Sequence, residues 1–145
     1  MAKEVTVKVV GIHNIRTGGD PGRDLEIYGT LGAWVKRAGS EISTPPDQGE
    51  EHLVNRPDGL QVSITEGTTV MAGRSVTMTV NELQELWIGG HLHEDDDSSG
   101  DDDMGGHFAH FPFAVIPAGE VRVGFHDRDN DQLVEAIYDI TVRDI

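Results

Sequence analysis

Alternation with a period of two runs through this chain and constrains its fold more than any other feature. Val5, Val7 and Val9 share one parity, with Thr6 and Lys8 on the other. Leu25, Ile27 and Leu31 alternate with Glu26, Tyr28 and Thr30, and Val62 with Ile64, then Val76, Met78 and Val80, repeat the pattern. Val121, Val123 and Phe125 alternate with Arg122 and His126. Val134, Ala136, Tyr138, Ile140 and Val142, set against Glu135, Asp139, Thr141 and Arg143, make the longest case. Successive side chains of a strand point to opposite faces, so each segment offers one apolar face and one wet one. Helical periodicity is nearly absent, and the 18 glycines and 6 prolines fall largely between these segments as turns. The expectation is an all-β fold, an antiparallel β-sandwich of about eight strands, with a barrel as the alternative. A length of 145 residues suits one domain over 1–145. Two long loops are expected within it, at about 37–60, which carries three prolines, and at about 93–106.

Charge narrows the range of partners. Twenty-six acids against eleven bases give a formal net charge of −15, and the lysines are only Lys3, Lys8 and Lys36. Such a surface repels nucleic acid and anionic lipid unless a cation intervenes. Either some of the carboxylates collect metal, or the whole surface is adapted to salt and the chain is a structural or assembly module. The absence of cysteine excludes disulfides, thiolate metal sites and thiol nucleophiles. No run of about 18 apolar residues is present to span a bilayer. The opening "MAKEVTVKVVG" enters a strand pattern directly, so the chain is expected to be cytoplasmic, or exported without a classical signal peptide.

Two stretches concentrate carboxylates in patterns that suit a hard cation. "FHDRDNDQ" sets Asp127, Asp129 and Asp131 on alternate positions between two strand patterns, and "GGDPGRDLEIYG" sets Asp20 and Asp24 just before a strand. Calcium takes six to eight oxygen ligands, so carboxylates that converge at strand ends suit it. An EF-hand is excluded, because its sixth and twelfth positions fall on Gln132 and Tyr138 and its flanks are strands. The same residues also read as the wet tip of a hairpin.

At these residues the sequence resembles a C2 domain, a β-sandwich that binds calcium between its apical loops. "VTVKVVGIHNI" is similar to the first strand, and "GGDPGRDLEIYGTL" to the first loop and the strand after it. "HFPFAVIPAGEVRVGFHDRDND" is similar to the stretch that leads to the Asp-x-Asp of the third loop, and "LVEAIYDITV" to the next strand. The resemblance covers about 70 residues at the two ends of the chain. It implies that Asp20, Asp24, Asp127, Asp129 and Asp131 ligate Ca²⁺, which orders the loops for a protein partner or a calcium-bridged membrane surface. The tract "HEDDDSSGDDDMGG" has no counterpart in that pattern. It reads as a solvated loop, a weak calcium collector, or an electrostatic surface for a basic partner.

Histidines supply a rival. His91 and His93 lie two apart, so on a strand they share a face, an arrangement that suits a transition metal. "HLHE" with "IPAG" and "FHDRDN" is similar to the two cupin motifs, which implies His91, His93, Glu94 and His126 as ligands. These histidines also read as exposed strand or loop residues. No phosphate-binding glycine motif and no nucleophile elbow is present, so binding without catalysis is the expectation. Trp34, Trp87, Phe108, Phe111 and Phe113 lie in or beside apolar strand patterns and are expected in the core.

Overall fold

The computed structural model describes residues 1–18, 24–95 and 102–145, with Asp102 as backbone alone. Among them ten strands form: β1 (Ala2–Arg16), β2 (Asp24–Arg37), β3 (Gln48–Arg56), β4 (Val62–Thr65), β5 (Thr69–Met71), β6 (Ser75–Asn81), β7 (Gln84–Glu94), β8 (Asp102–Pro112), β9 (Gly119–Asp127) and β10 (Gln132–Asp144). Their only helical turn is a 3₁₀ turn over Phe113–Val115, and no helix among them is long and apolar enough to cross a membrane.

The strands make two five-stranded antiparallel sheets, an all-β sandwich. In the first, β1 lies between β10 on one side and β5 and β6 on the other, and β9 pairs with β10. In the second, β2 lies between β7 on one side and β3 and β4 on the other, and β8 pairs with β7. The strand count exceeds eight because the short β5 is added and because the stretch expected as a loop over 37–60 contains β3. That strand hides in the sequence since only Leu53 and Val54, which are adjacent, are buried along it. The acidic stretch 93–106 is likewise entered by the ends of β7 and β8.

The core lies between the sheets and follows the alternation. Val5, Val7, Val9, Val123, Phe125, Val134, Ala136 and Ile140 from the first sheet meet Leu25, Ile27, Leu31, Ala33, Val35, Leu86, Ile88 and Leu92 from the second. Tyr138 reaches across that core from β10. Its hydroxyl accepts from the Gly89 N–H at 3.1 Å, and its one proton is offered to the Gly32 carbonyl at 3.0 Å and that of Gly89 at 3.2 Å. Gly32 and Gly89 face each other on β2 and β7. Gly89 has φ of 139°, a conformation that side chains disfavour, and a Cβ there would strike the His107 carbonyl of β8. The glycine therefore lets β7 and β8 approach closely at this point. Burial pushes the Tyr138 hydroxyl well above the ordinary tyrosine range, so it stays protonated.

Three of the five aromatic residues expected in the core face outward instead. Ala33 and Val35, then Leu86 and Ile88, point between the sheets, so Trp34 and Trp87 must take the opposite face. Phe108 of β8 packs against both indoles, with ring centroids 5.8 and 6.2 Å away. Lys36 is buried over Trp87 at 4.3 Å, and its ammonium donates to the carbonyls of Glu41 and Ile42, both at 3.0 Å. Burial lowers the Lys36 pKa, opposed by the nearby Glu85 carboxylate. Phe111 and Phe113 do pack against the core.

Candidate functional site

One end of the sandwich gathers the acidic connections. β1, β7 and β9 end there at Arg16, Glu94 and Asp127, and β2, β8 and β10 begin there at Asp24, Asp102 and Gln132. The register agrees, with Arg16 opposite Leu133, Gln132 opposite Asp127, and Glu94 opposite both Ile27 and Asp102. The acidic tract thus starts and finishes at the end that also carries the 127–131 turn.

The β1–β2 connection touches that turn. Gly18 has φ of 89°, and a Cβ on it would run into the Asn130 carbonyl. Further back, the Thr17 N–H donates to Glu66 at 2.9 Å, and the buried Asn14 donates to the Ile64 carbonyl at 2.9 Å. The start of the connection is therefore held against its neighbours on both sides. Asp20 lies outside the described residues.

In the turn itself the Asp127 carboxylate accepts from the Asp129 N–H at 3.1 Å and from the Asn130 side chain at 2.8 Å. This local bonding is how aspartate stabilises turns. Asp131 takes φ of 51°, a left-handed conformation that aspartate tolerates. Its carboxylate accepts from Arg16 at 3.1 Å and lies 3.8 Å from His126 Nε2. Asp129 is exposed. At the start of β2, Asp24 is exposed and accepts from Ser63 at 2.9 Å. Asp127, Asp129 and Asp131 thus share one turn, but two of the three carboxylates are held by N–H donors and a guanidinium, and their oxygens are not drawn into one tight cluster. Glu66, which sequence reasoning did not single out, stands at the same end, as does Asp95 of the acidic tract. Their backbones are pinned beside β1 and β2, through Gly67 to Asn14 and through Asp95 to Glu26.

Among the described residues, one group of three brings metal-ligating atoms within 4.8 Å of one another, and it consists of His91, His93 and Asp103. His91 and His93 lie on the outer face of β7, their rings stacked at 4.6 Å. Tyr28, opposite His93 on β2, stacks on its other side at 5.0 Å. Asp103 arrives from β8, where the pairing slips between His91 and His93. Its Oδ1 lies 2.6 Å from His91 Nε2 and 3.8 Å from His93 Nδ1, and it accepts from the Gly105 N–H at 2.7 Å. The Gly105 N–H first, then His91, holds the Asp103 carboxyl below the usual carboxylate range.

The cupin-like set divides on this geometry. His91 and His93 come together, whereas Glu94 follows His93 directly and is buried on the opposite face of β7. His126 stands on β9 in the other sheet, beside Asp131. Asp103 supplies the carboxylate instead. Its position was legible only through the antiparallel pairing of "HLH" with "DDMGG", because it is one of six aspartates in the tract.

No protein-family model and no curated protein matches the sequence. Among solved structures, the chain is similar to human GIVD cytosolic phospholipase A2 in complex with methyl gamma-linolenyl fluorophosphonate, with 13% identity and a TM-score of 0.47 over 100% of this chain. That match spans 17% of the phospholipase chain. It is also similar to the C2A domain of a plant extended synaptotagmin 1, with 11% identity, a TM-score of 0.43, and coverage of 98% of this chain and 95% of that one. A C2 domain protein from Ramazzottius varieornatus matches at 11% identity and a TM-score of 0.42, covering 96% of this chain and 88% of that one. C2 domain structures are thus among the structural neighbours of this sandwich.

Proposed function

We propose that this chain is a calcium-dependent binding module. In this reading Asp20 and Asp24 from the β1–β2 connection join Asp127, Asp129 and Asp131 from the β9–β10 turn around Ca²⁺. The single observation that carries the reading is the contact of Gly18 with Asn130, because two acidic connections that touch can share a cation. Arg16 holds the Asp131 carboxylate, and the turn's own N–H groups hold that of Asp127. Calcium exchanges these for coordination, neutralises mutual repulsion, and stiffens both connections.

The partner is a protein or an anionic membrane surface bridged by the bound ion. The tip over 127–131, Asp-Arg-Asp-Asn-Asp, offers no apolar side chain for insertion into lipid. Bridging through the cation therefore fits better than insertion, and with a net charge of −15 the contact should fail when calcium is removed.

Calorimetric titration of the chelator-stripped chain tests the reading, with magnesium as control. Saturable calcium binding that Asp127→Asn and Asp129→Asn each weaken at least tenfold supports it. Calcium heats that both substitutions leave unchanged would assign the ion elsewhere, and absence of saturable binding would reduce "HDRDND" to a hairpin tip.

A further inference from the structure

We infer that His91, His93 and Asp103 form a second, chemically distinct metal site, an open three-ligand centre for a borderline divalent cation of the Zn²⁺ class on the outer face of the β2–β7–β8 sheet. It is independent of the calcium reading, since its donors are two imidazole nitrogens and one carboxylate rather than an all-oxygen cage. Nitrogen donors of this kind favour zinc, copper, nickel or iron(II), and calcium takes oxygen.

The geometry is close to what such an ion needs. Zinc binds imidazole nitrogen and carboxylate oxygen at about 2.0–2.2 Å, so tetrahedral ligand atoms stand about 3.3 Å apart. The Asp103 oxygen now lies 2.6 Å from His91 Nε2 and 3.8 Å from His93 Nδ1, short of that spacing on one side and beyond it on the other. Movements of about 0.5–0.7 Å equalise the two. The rings must also turn, because a ligated metal lies near the plane of each imidazole and the two planes are now nearly parallel, at 16°. Binding thus exchanges the His91–His93 stack and the His91–Asp103 hydrogen bond for three coordinate bonds.

The Gly105 N–H orients the Asp103 carboxylate, and a hydrogen bond of this kind helps fix a metal ligand in place. His91 is exposed and His93 half-buried, so the ion can enter from solvent. The donors sit where the acidic tract joins β7 and β8, which raises the local cation concentration. Three protein ligands leave at least one coordination position for water or an anionic group.

Zinc titration of the full chelator-stripped chain, with calcium in excess, is the test. One Zn²⁺ per chain is expected, with affinity lowered at least tenfold by His91→Ala or Asp103→Asn and unchanged by His126→Ala or Asp127→Asn. Loss of calcium binding with zinc binding intact would overturn the proposed function and leave this site standing. Zinc binding that survives His91→Ala with His93→Ala would overturn the site in favour of adventitious binding. Survival in Asp103→Asn alone would reduce it to a two-histidine surface contact, and no saturable zinc binding would remove it. Co²⁺ added to the unsubstituted protein gives a readout free of folding effects. Paramagnetic shifts should fall on the His91 and His93 rings, and shifts confined to His107, His110 or His126 would contradict the assignment.

Discussion

Replacing Tyr138 by phenylalanine keeps the ring and removes one oxygen that two sheets share. Tyr138 is fully buried, so the change leaves its packing in place. What disappears is the acceptor for the Gly89 N–H and the donor for the Gly32 and Gly89 carbonyls, 3.0–3.2 Å away. These backbone groups lie where Gly32 and Gly89 face each other within the sheet, enclosed by β8 and the core. A buried polar group left without a partner costs about 1–3 kcal/mol, so one orphaned donor and one orphaned acceptor cost about 2–6 kcal/mol together. For a chain of this size a kcal/mol shifts the melting point by about 3–4 °C, which sets the expected fall at roughly 6–24 °C. Thermal and urea melts followed by circular dichroism measure it. Tyr138→Ala, which also empties the ring volume, should cost a further 3 kcal/mol or so. A Tyr138→Phe protein within about 0.5 kcal/mol of the original would refute the reasoning, because the hydroxyl would then not be needed to satisfy the Gly32 and Gly89 backbone groups.

Further expectations follow from the same geometry. Gly18→Val, strained at φ of 89° and driven against the Asn130 carbonyl, should push the two connections apart and weaken calcium at least tenfold in calorimetry, with zinc unaffected. Arg16→Ala removes an exposed ion pair, so stability should change by less than about 1 kcal/mol. The same change frees Asp131, and calcium affinity should rise several-fold at low salt. For Lys36, burial lowers the folded pKa, so the unfolded chain binds more protons over the interval between the folded value and the ordinary lysine value. Its contribution therefore makes stability rise with pH across that interval, and the difference between the original protein and Lys36→Met in urea melts should grow in that direction.

The sandwich was legible because its core strands are wet on one side, as with Val134, Ala136, Tyr138 and Ile140 against Glu135 and Asp139. Legibility failed where a strand is covered on both faces or on neither. β7 is buried continuously from Glu85 to Gly90, since the aromatic layer of Trp34, Trp87 and Phe108 covers its outer side, and this erases the alternation. β3 is exposed over most of its length and shows the opposite failure. Parity within β2 and β7 would have sent Trp34 and Trp87 outward, yet their apolarity argued for the core. At the sites, the i, i+2 spacing placed His91 and His93 on one face, but the third ligand depended on cross-strand register, which alternation does not encode. The meeting of Gly18 with Asn130 joins residues more than a hundred positions apart and rests on strand order alone.

The central claim is that two acidic connections share one calcium ion, and amide chemical shifts followed through a calcium titration test it most directly. The account predicts that Thr17, Gly18 and Asp24 shift along the same saturation curve as Asp127, Asp129, Asn130 and Asp131, while the amides around His91 and His93 stay still. Shifts confined to the 127–131 turn, or two groups that saturate at different calcium concentrations, would contradict it.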